Sequence, residues 1–397
     1  MKYDPTEHYK KRGPTTEFVN ASETPSIIKN VGWTLGNYCP HKCKHCYSVS
    51  ARLQGANLTM PIIDRVIDQL VKNNIETVNL GGNEPIFTNG KNPEESLLPY
   101  IIDGLDRHNI SVGITTSGDT LLYLYNYARE TFYKINDFDI SFDSPFKDEH
   151  NTNRGDDLYD DAICCLEICQ KENKPHSVIM TGMSWNFTEQ HLTALLELCK
   201  KYDAFVRINT MKPMTTAQIK QTMSFQQFYD GFKFLFDNCN TVENGETVLR
   251  TLSGYETTKR CPCGISSFRI HSITPQGQIF ISPCVYMHDY KSSLDLLQHD
   301  LINIINSDEF RVFRQRNANP EMIKGCTDCK VKNVCGGGCA ARSYLYNAIN
   351  TGEKSFICKD PYCPIDYNTE LLRNMNAEQS GRLVHMDYLC TWIGKAR

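Results

Sequence analysis

No stretch of this sequence approaches the ~18–20 consecutive apolar residues that a helix needs to cross a bilayer, so the chain is expected to lack a membrane span. The first residues also lack the apolar core of a secretory signal, and the expected compartment is the cytoplasm. Charge of one sign is not in surplus either. The 42 Lys and Arg against 46 Asp and Glu leave a net −4, which gives no argument for nucleic acid or an anionic membrane surface as a partner. No internal repeat longer than one strand–helix unit is visible. Hydrophobic residues make up 40% and charged residues 22% of 397 positions, enough for about two or three packed units.

What the chain does have is cysteine, 18 residues of it. In a reducing compartment that number points to metal ligands before disulfides, above all where spacings are tight. Cys39, Cys43 and Cys46 lie in CPHKCKHC, and Cys326, Cys329, Cys335 and Cys339 lie in CTDCKVKNVCGGGC. Cys261, Cys263, Cys284, Cys358 and Cys363 flank the second run. Cys164, Cys165, Cys169, Cys199, Cys239 and Cys390 fall in helix-like or tail segments and read as small buried hydrophobes.

Residues 1–30 are polar and aperiodic and read as a loosely docked arm. Over 31–240, β-branched runs (GWTLGNY, ETVNLGG, ISVGITTSG, FDISFDS, HSVIMTG, AFVRINT) alternate with helical stretches. In the first of these, MPIIDRVIDQLVKN, Ile62, Ile63, Val66, Ile67 and Leu70 share one face. This α/β alternation implies a parallel sheet with helices outside; periodicity leaves open whether it is doubly wound or curled into a partial barrel. In both cases chemistry is expected at the carboxyl ends of the strands. MSFQQFYDGFKFLFDNC reads as an amphipathic bridging helix and residues 241–256 as a linking segment. Residues 257–365 are so rich in Cys, Gly and loops that burial alone would not hold them, and metal is expected there. Residues 366–397 read as a tail.

A zinc site closed by sulfur wants four protein ligands, and CPHKCKHC offers three. Three thiolates suit a cubane that keeps one iron open for a reacting molecule; a zinc loop with a distant fourth ligand is the alternative. The spacing C-x3-C-x2-C after the first strand of an alternating chain resembles the radical S-adenosylmethionine (SAM) superfamily. That resemblance implies a partial (βα)6 barrel followed by a small cysteine-rich iron–sulfur domain. It also implies SAM chelated to the cluster through its amino and carboxylate groups, and cleavage to a 5′-deoxyadenosyl radical that abstracts hydrogen. GGNEP (Gly81, Gly82, Asn83, Glu84, Pro85) resembles the family segment that receives the methionine amino group, with Asn83 inserted before Glu84. Ser117 in TTSG is expected at the ribose, and Ser141, Asp143 and Arg154 in SFDSPFKDEHNTNRG resemble a Ser-x-Asp segment followed by a carboxylate-clamping arginine. Read as bare residues, Asp143 equally suits a cap or turn, and Arg154 a surface ion pair. Tyr38, His45 and Tyr47 flank the thiols; His45 stands where the family usually has an aromatic residue.

CTDCKVKNVCGGGC resembles the SPASM domain of peptide-modifying radical enzymes, with Gly277 and Cys284 supplying its upstream part at a longer spacing. The resemblance implies two further 4Fe–4S clusters, three in all. One would be held by Cys261, Cys263, Cys284 and Cys339, the other by Cys326, Cys329, Cys335 and Cys358, with Cys363 able to replace Cys358. Structural zinc is the competing reading. GGNEPIFTNG, SFDSPF, HNTNRG and MSWNFT look closest to the Nif-eleven-like peptide maturases, which include spliceases that excise tyramine. The expected partners are a precursor peptide and an external electron donor, with the peptide recognised either by a separate leader-recognition protein or directly by the cysteine-rich domain. A radical enzyme acting on a small molecule or folded protein, as sulfatase maturases do, and a non-catalytic iron–sulfur or zinc scaffold are the other readings.

Overall fold

A computed structural model of the chain describes residues 30–48, 55–253, 263–264, 267–367, 372, 383 and 390–397. Residues 1–29 and Cys261 lie outside this set. Six strands pair in parallel and in chain order: β1 (Asn30–Trp33), β2 (Thr77–Leu80), β3 (Ser111–Thr116), β4 (Asp137–Ser141), β5 (His176–Gly182) and β6 (Phe205–Thr210). A doubly wound sheet reverses its strand order at a switch point, and this one does not. Right-handed crossovers in a single direction put the helices on one face only. The side-chain pattern agrees. Val31, Trp33, Val78, Leu80, Ile114, Phe138, Ile140, Val178, Met180, Val206 and Ile208 are buried in the main apolar core, which they share with helices such as Met60–Lys72. The alternate positions carry Asn79, Thr115, Asp139, Ser177, Thr181, Arg207 and Asn209, a polar inner face.

The inner face is held by paired charges. Arg207 Nη1 lies 2.6 Å from Asp139 Oδ2, both fully buried, and Asp139 also accepts hydrogen bonds from Thr115 and Ser177. Burying either charge alone would be costly, so the two strands must arrive together.

Four further strands enlarge the sheet to ten. The order is β7-β10-β6-β5-β4-β3-β2-β1-β8-β9, with β7 (Cys239–Asn244), β8 (Ser267–Ile270), β9 (Ile281–Ser282) and β10 (Trp392–Ala396). Two sequence expectations change here. The cysteine-rich segment supplies β8, parallel to β1, so it is continuous with the sheet. The expected tail supplies β10, antiparallel to both β6 and β7 and inserted between them. Gly394 permits this, since a Cβ there would sit 2.4 Å from the Trp392 ring. The bridging helix also belongs to the outer layer. Phe225–Asn238 starts at a Ser224/Gln227 capping box and packs Phe232 and Phe236 beside Trp392, at ring separations of 6.2 and 6.1 Å.

Trp392→Ala removes a fully buried ring from this junction and should cost about 3–5 kcal/mol. Urea unfolding of the apo protein is expected to show a lower midpoint at unchanged slope. A loss below about 1 kcal/mol would mean that β10 is not part of the cooperative core.

Candidate functional site

Cys39, Cys43 and Cys46 are half-buried on the loop after β1. That loop leaves the strand at Gly36, whose φ of +70° and contact of 2.1 Å from a would-be Cβ to the Phe87 carbonyl oxygen admit only glycine. Lys44 N–H donates to the Asn153 carbonyl (2.9 Å), and Gln218 Nε2 donates to the Lys44 carbonyl (2.8 Å). The three thiols line a cleft at the carboxyl ends of the strands, together with Asn79, Gly82, Thr115, Ser117, Ser141 and Asn209.

Asp143 lies beneath the cleft rather than in its lining. Arg154 Nε is 2.7 Å from its Oδ2, Asn153 Nδ2 donates to the same oxygen (3.0 Å), and Thr181 N–H donates to Oδ1 (3.3 Å). Burial would raise this carboxyl, but Arg154, His45 and His150 hold it down at about 2. Asn153 Nδ2 also reaches His45 Nδ1 at 2.9 Å, so one asparagine ties the cysteine loop to the carboxylate. Burial lowers the pKa of His45. Arg154 lines the cleft, with Nη1 3.4 Å from Ser117 Oγ and 3.8 Å from Cys43 Sγ. Burial pushes the Cys43 thiol up to about 11 despite that cation, so a bound metal must displace its proton.

The GGNEP segment brings Gly82, Asn83 and Glu84 to the cleft. Glu84 lines the cleft and accepts three hydrogen bonds at Oε1, from Thr120 N–H (3.0 Å) and the Thr116 and Thr120 hydroxyls, and one at Oε2, from Ser117 N–H (2.8 Å). It therefore ties the β2 loop to the β3 loop while Oε2 keeps one acceptor site. Asn83 Nδ2 donates to the Tyr38 carbonyl, while its buried Oδ1 has no hydrogen-bond partner among the described residues; Asn209 Oδ1 is alike. Both residues line the cleft, and two orphaned acceptors beside three thiols suit a cationic amino-acid ligand. Gly82, at φ +92°, is fixed by Arg269 Nη2, which would lie 2.4 Å from a Cβ. Gly81 gives its carbonyl to the same guanidinium. Gly81, Pro85 and Tyr38 do not line the cleft; the Tyr38 ring packs edge-on to Phe87 at 5.7 Å. Tyr47 lines it, edge-on to Tyr286 at 5.0 Å.

Several lining residues escaped the sequence reading. Arg269 of β8 is fully buried and donates through Nε to Thr34 Oγ1 (2.7 Å). Lys212, just past β6, is fully buried, donates to the Thr210 carbonyl and hydroxyl (3.0 Å each), and lies over the Tyr286 ring at 4.7 Å. The available signal was a lone cation inside an apolar strand, FRIHSIT, and another directly after one, INTMK.

In the second cysteine field, Cys326, Cys329, Cys335 and Cys363 line one cavity. Cys358 does not; its Sγ faces the carbonyls of Ser355 (3.2 Å) and Ser343 (3.4 Å). Of the two trailing thiols that the sequence leaves open, Cys363 and not Cys358 lines the cavity with the other three. The turn that brings Cys363 inward is anchored by Asp360, whose carboxylate accepts Cys339 N–H (2.7 Å) and Tyr362 N–H (2.8 Å) and whose carbonyl accepts Cys363 N–H (3.0 Å). Arg342 bridges Asp360 (2.7 Å) to Glu246 (3.0 Å), joining this field to the strand ends. Cys263, Cys284 and Cys339 are buried together in a separate apolar cluster with Tyr286.

Comparison with known proteins agrees with this geometry. Residues 33–199 match the radical SAM superfamily, and residues 261–330 match SPASM, an iron–sulfur cluster-binding domain. The mycofactocin maturase MftC of Mycolicibacterium smegmatis is 23% identical over 324 residues, covering 79% of this chain and 78% of the relative. The radical SAM cyclopropyl synthase TigE of Paramaledivibacter caminithermalis is 23% identical over 368 residues, covering 84% and 71%. The crystal structure of Streptococcus suis SuiB bound to S-adenosylmethionine shares the fold at TM-score 0.63 and 15% identity, covering 85% of this chain and 77% of that one.

Asp143→Asn leaves the Arg154 cation buried without its counter-charge and is expected to cost about 3–5 kcal/mol, read from denaturant melts of the apo protein at pH 7. Because the folded pKa of Asp143 is depressed, its stabilisation is complete above its unfolded value of about 4 and is lost as pH falls through about 2. The gap between wild type and variant should therefore narrow in acid, and a constant gap would contradict the pairing.

Proposed function

From a chain that carries a radical SAM domain followed by an SPASM iron–sulfur domain, we propose an enzyme that abstracts hydrogen from a ribosomally made precursor peptide and so modifies it. The observation that carries this is the convergence of three thiols, the Arg154 cation and the orphaned oxygens of Asn83 and Asn209 in one cleft at the strand ends. When bound, a 4Fe–4S cluster on Cys39, Cys43 and Cys46 supplies the electron that splits SAM into methionine and a 5′-deoxyadenosyl radical.

The chain's own residues then have separable tasks. Asn83 Oδ1 accepts from the ammonium group of SAM, and Arg154, held by Asp143, meets its carboxylate through Nη1. Ser117 and Ser141 offer hydroxyls to the ribose. Tyr47, Tyr286 and Lys212 form the wall on the side of the second cysteine field, where a substrate side chain would lie between the two sulfur sets. Two auxiliary clusters in that field, one on Cys326, Cys329, Cys335 and Cys363, would bring the total to three and carry electrons to or from an external donor.

A peptide substrate is supported by the relatives: MftC is a maturase, and a SuiB structure of the same fold is bound to precursor peptide SuiA. In its narrowest form the proposal is backbone splicing that excises tyramine. No described helix is long and apolar enough to cross a membrane.

Anaerobic reconstitution should load about twelve irons and yield 5′-deoxyadenosine from SAM under reduction. Replacing Cys39, Cys43 and Cys46 together by Ala should abolish that cleavage and leave about eight irons. Cys363→Ala should lose about four, and Cys358→Ala none. Incubation with the precursor peptide, with and without a leader-binding protein, gives the product mass; a loss equal to tyramine supports splicing. Zinc as the sole bound metal, or no deoxyadenosine, would sink the enzyme reading.

A further inference from the structure

Cys390 reads in sequence as one more buried thiol of a C-terminal tail, and the SPASM pattern makes no use of it. The structure sets it among the other buried sulfurs. It shares the apolar cluster of Cys263, Cys284 and Cys339, and its thiol is in hydrogen-bonding contact with that of Cys339. Tyr286 has Cys284, Cys339 and Cys390 all in its immediate electrostatic surroundings.

Strand register explains how a residue so late in the chain arrives there. β10 runs antiparallel to β6 with Trp392 opposite Ile208, so the residues entering β10 stand at the carboxyl end of β6, on the side of the reactive cleft. Thr391 locks that entry: its hydroxyl donates to the Ile208 carbonyl (3.1 Å), and its own carbonyl accepts Gly245 N–H (2.7 Å). Cys339 reaches the same place from the other side. It caps the helix Ala340–Thr351, whose Arg342 extends to Glu246 (3.0 Å) and Thr210 Oγ1 (3.5 Å). Two independently anchored backbones thus present their thiols to each other, while Cys263 and Cys284 come from the segments flanking β8 and β9.

We propose that Cys390 is the fourth ligand of the cluster held by Cys263, Cys284 and Cys339; Cys261, which the resemblance gives as the fourth, lies outside the described residues. This rests on the reading that the C-terminal domain holds iron–sulfur clusters. A cubane closed by four thiolates needs four converging sulfurs, and a buried one carries net negative charge. The buried Lys212 ammonium beside Cys339 offsets that charge. β10 would then be held by metal as well as by its hydrogen bonds.

The test uses the full chain with Cys39, Cys43 and Cys46 replaced by Ala, so that only the C-terminal clusters remain. Reconstituted anaerobically, this parent should hold about eight irons. Adding Cys390→Ala should remove up to about four, or convert one cluster to a three-iron form visible by electron paramagnetic resonance. Adding Cys390→Ser, which keeps size and a ligating oxygen, should retain iron with shifted g-values. Adding Cys261→Ala should change neither. A Cys390→Ser spectrum identical to the parent's overturns the assignment even if the Ala variant misfolds, and so does loss of the same irons on Cys261→Ala. A parent without the eight irons overturns the domain reading itself, and the assignment with it.

Discussion

The arrangement around the cysteine loop depends on one buried carboxylate. Asp143 has no solvent to stabilise its charge, so its surroundings must do so, and each group that does is part of the cleft or of its support. Arg154 neutralises it and lines the cleft; Asn153 bonds it and His45 together; Thr181 brings in β5. The desolvation of a single charge thereby fixes the relative positions of β4, β5, the helix Lys147–Arg154 and the loop that carries the thiols. An apolar residue at this position would pack without cost but would leave Arg154 buried and unpaired, and the loop without its tether.

The same logic extends across the inner face of the sheet. With helices on one side only, the strands cannot be apolar on both, and their inner residues are polar or charged. Such a surface is stable only if its charges meet their partners. Arg207 meets Asp139 between β6 and β4, and Arg269 meets Thr34 and the Gly81 carbonyl between β8 and β1–β2. The second pairing matters for how the chain is divided. Arg269 comes from the cysteine-rich segment, yet it fixes the backbone of the glycine segment at the mouth of the cleft. The C-terminal part therefore contributes to the lining of the cleft and is continuous with the sheet.

This is also where the sequence was least legible. The six parallel strands, the buried face of the helix Met60–Lys72 and the paired thiol motifs could be read from residues because each is local: a period, a spacing, a turn. The hydrogen-bond partners of Glu84 and Asn83 were not legible, because they hinge on which donors and acceptors the neighbouring loops present: Thr116, Ser117 and Thr120 to the carboxylate, and the Tyr38 carbonyl to the amide. β10 was missed because a five-residue strand with a central glycine has no strong local signal; its stability comes from partners more than 140 positions away in the chain. Cys363 and Cys358 are indistinguishable by counting, and only the turn at Asp360 separates them.

That turn belongs to a buried ionic chain, Glu246–Arg342–Asp360, whose value is positional. Buried ion pairs add little net stability compared with apolar packing of equal volume, so stability alone would not favour this one. What it does is geometric. A guanidinium presents its donors in a fixed planar fork, and here the fork spans from the strand ends to Asp360, whose carboxylate holds the backbone N–H of Cys339 and whose carbonyl holds that of Cys363. Apolar packing is non-directional and would not by itself fix the orientation of the cysteine fields on the barrel. A directional ionic link does. Polar residues that look wasteful in the interior of this protein are the ones that set the distances between its sulfur sites.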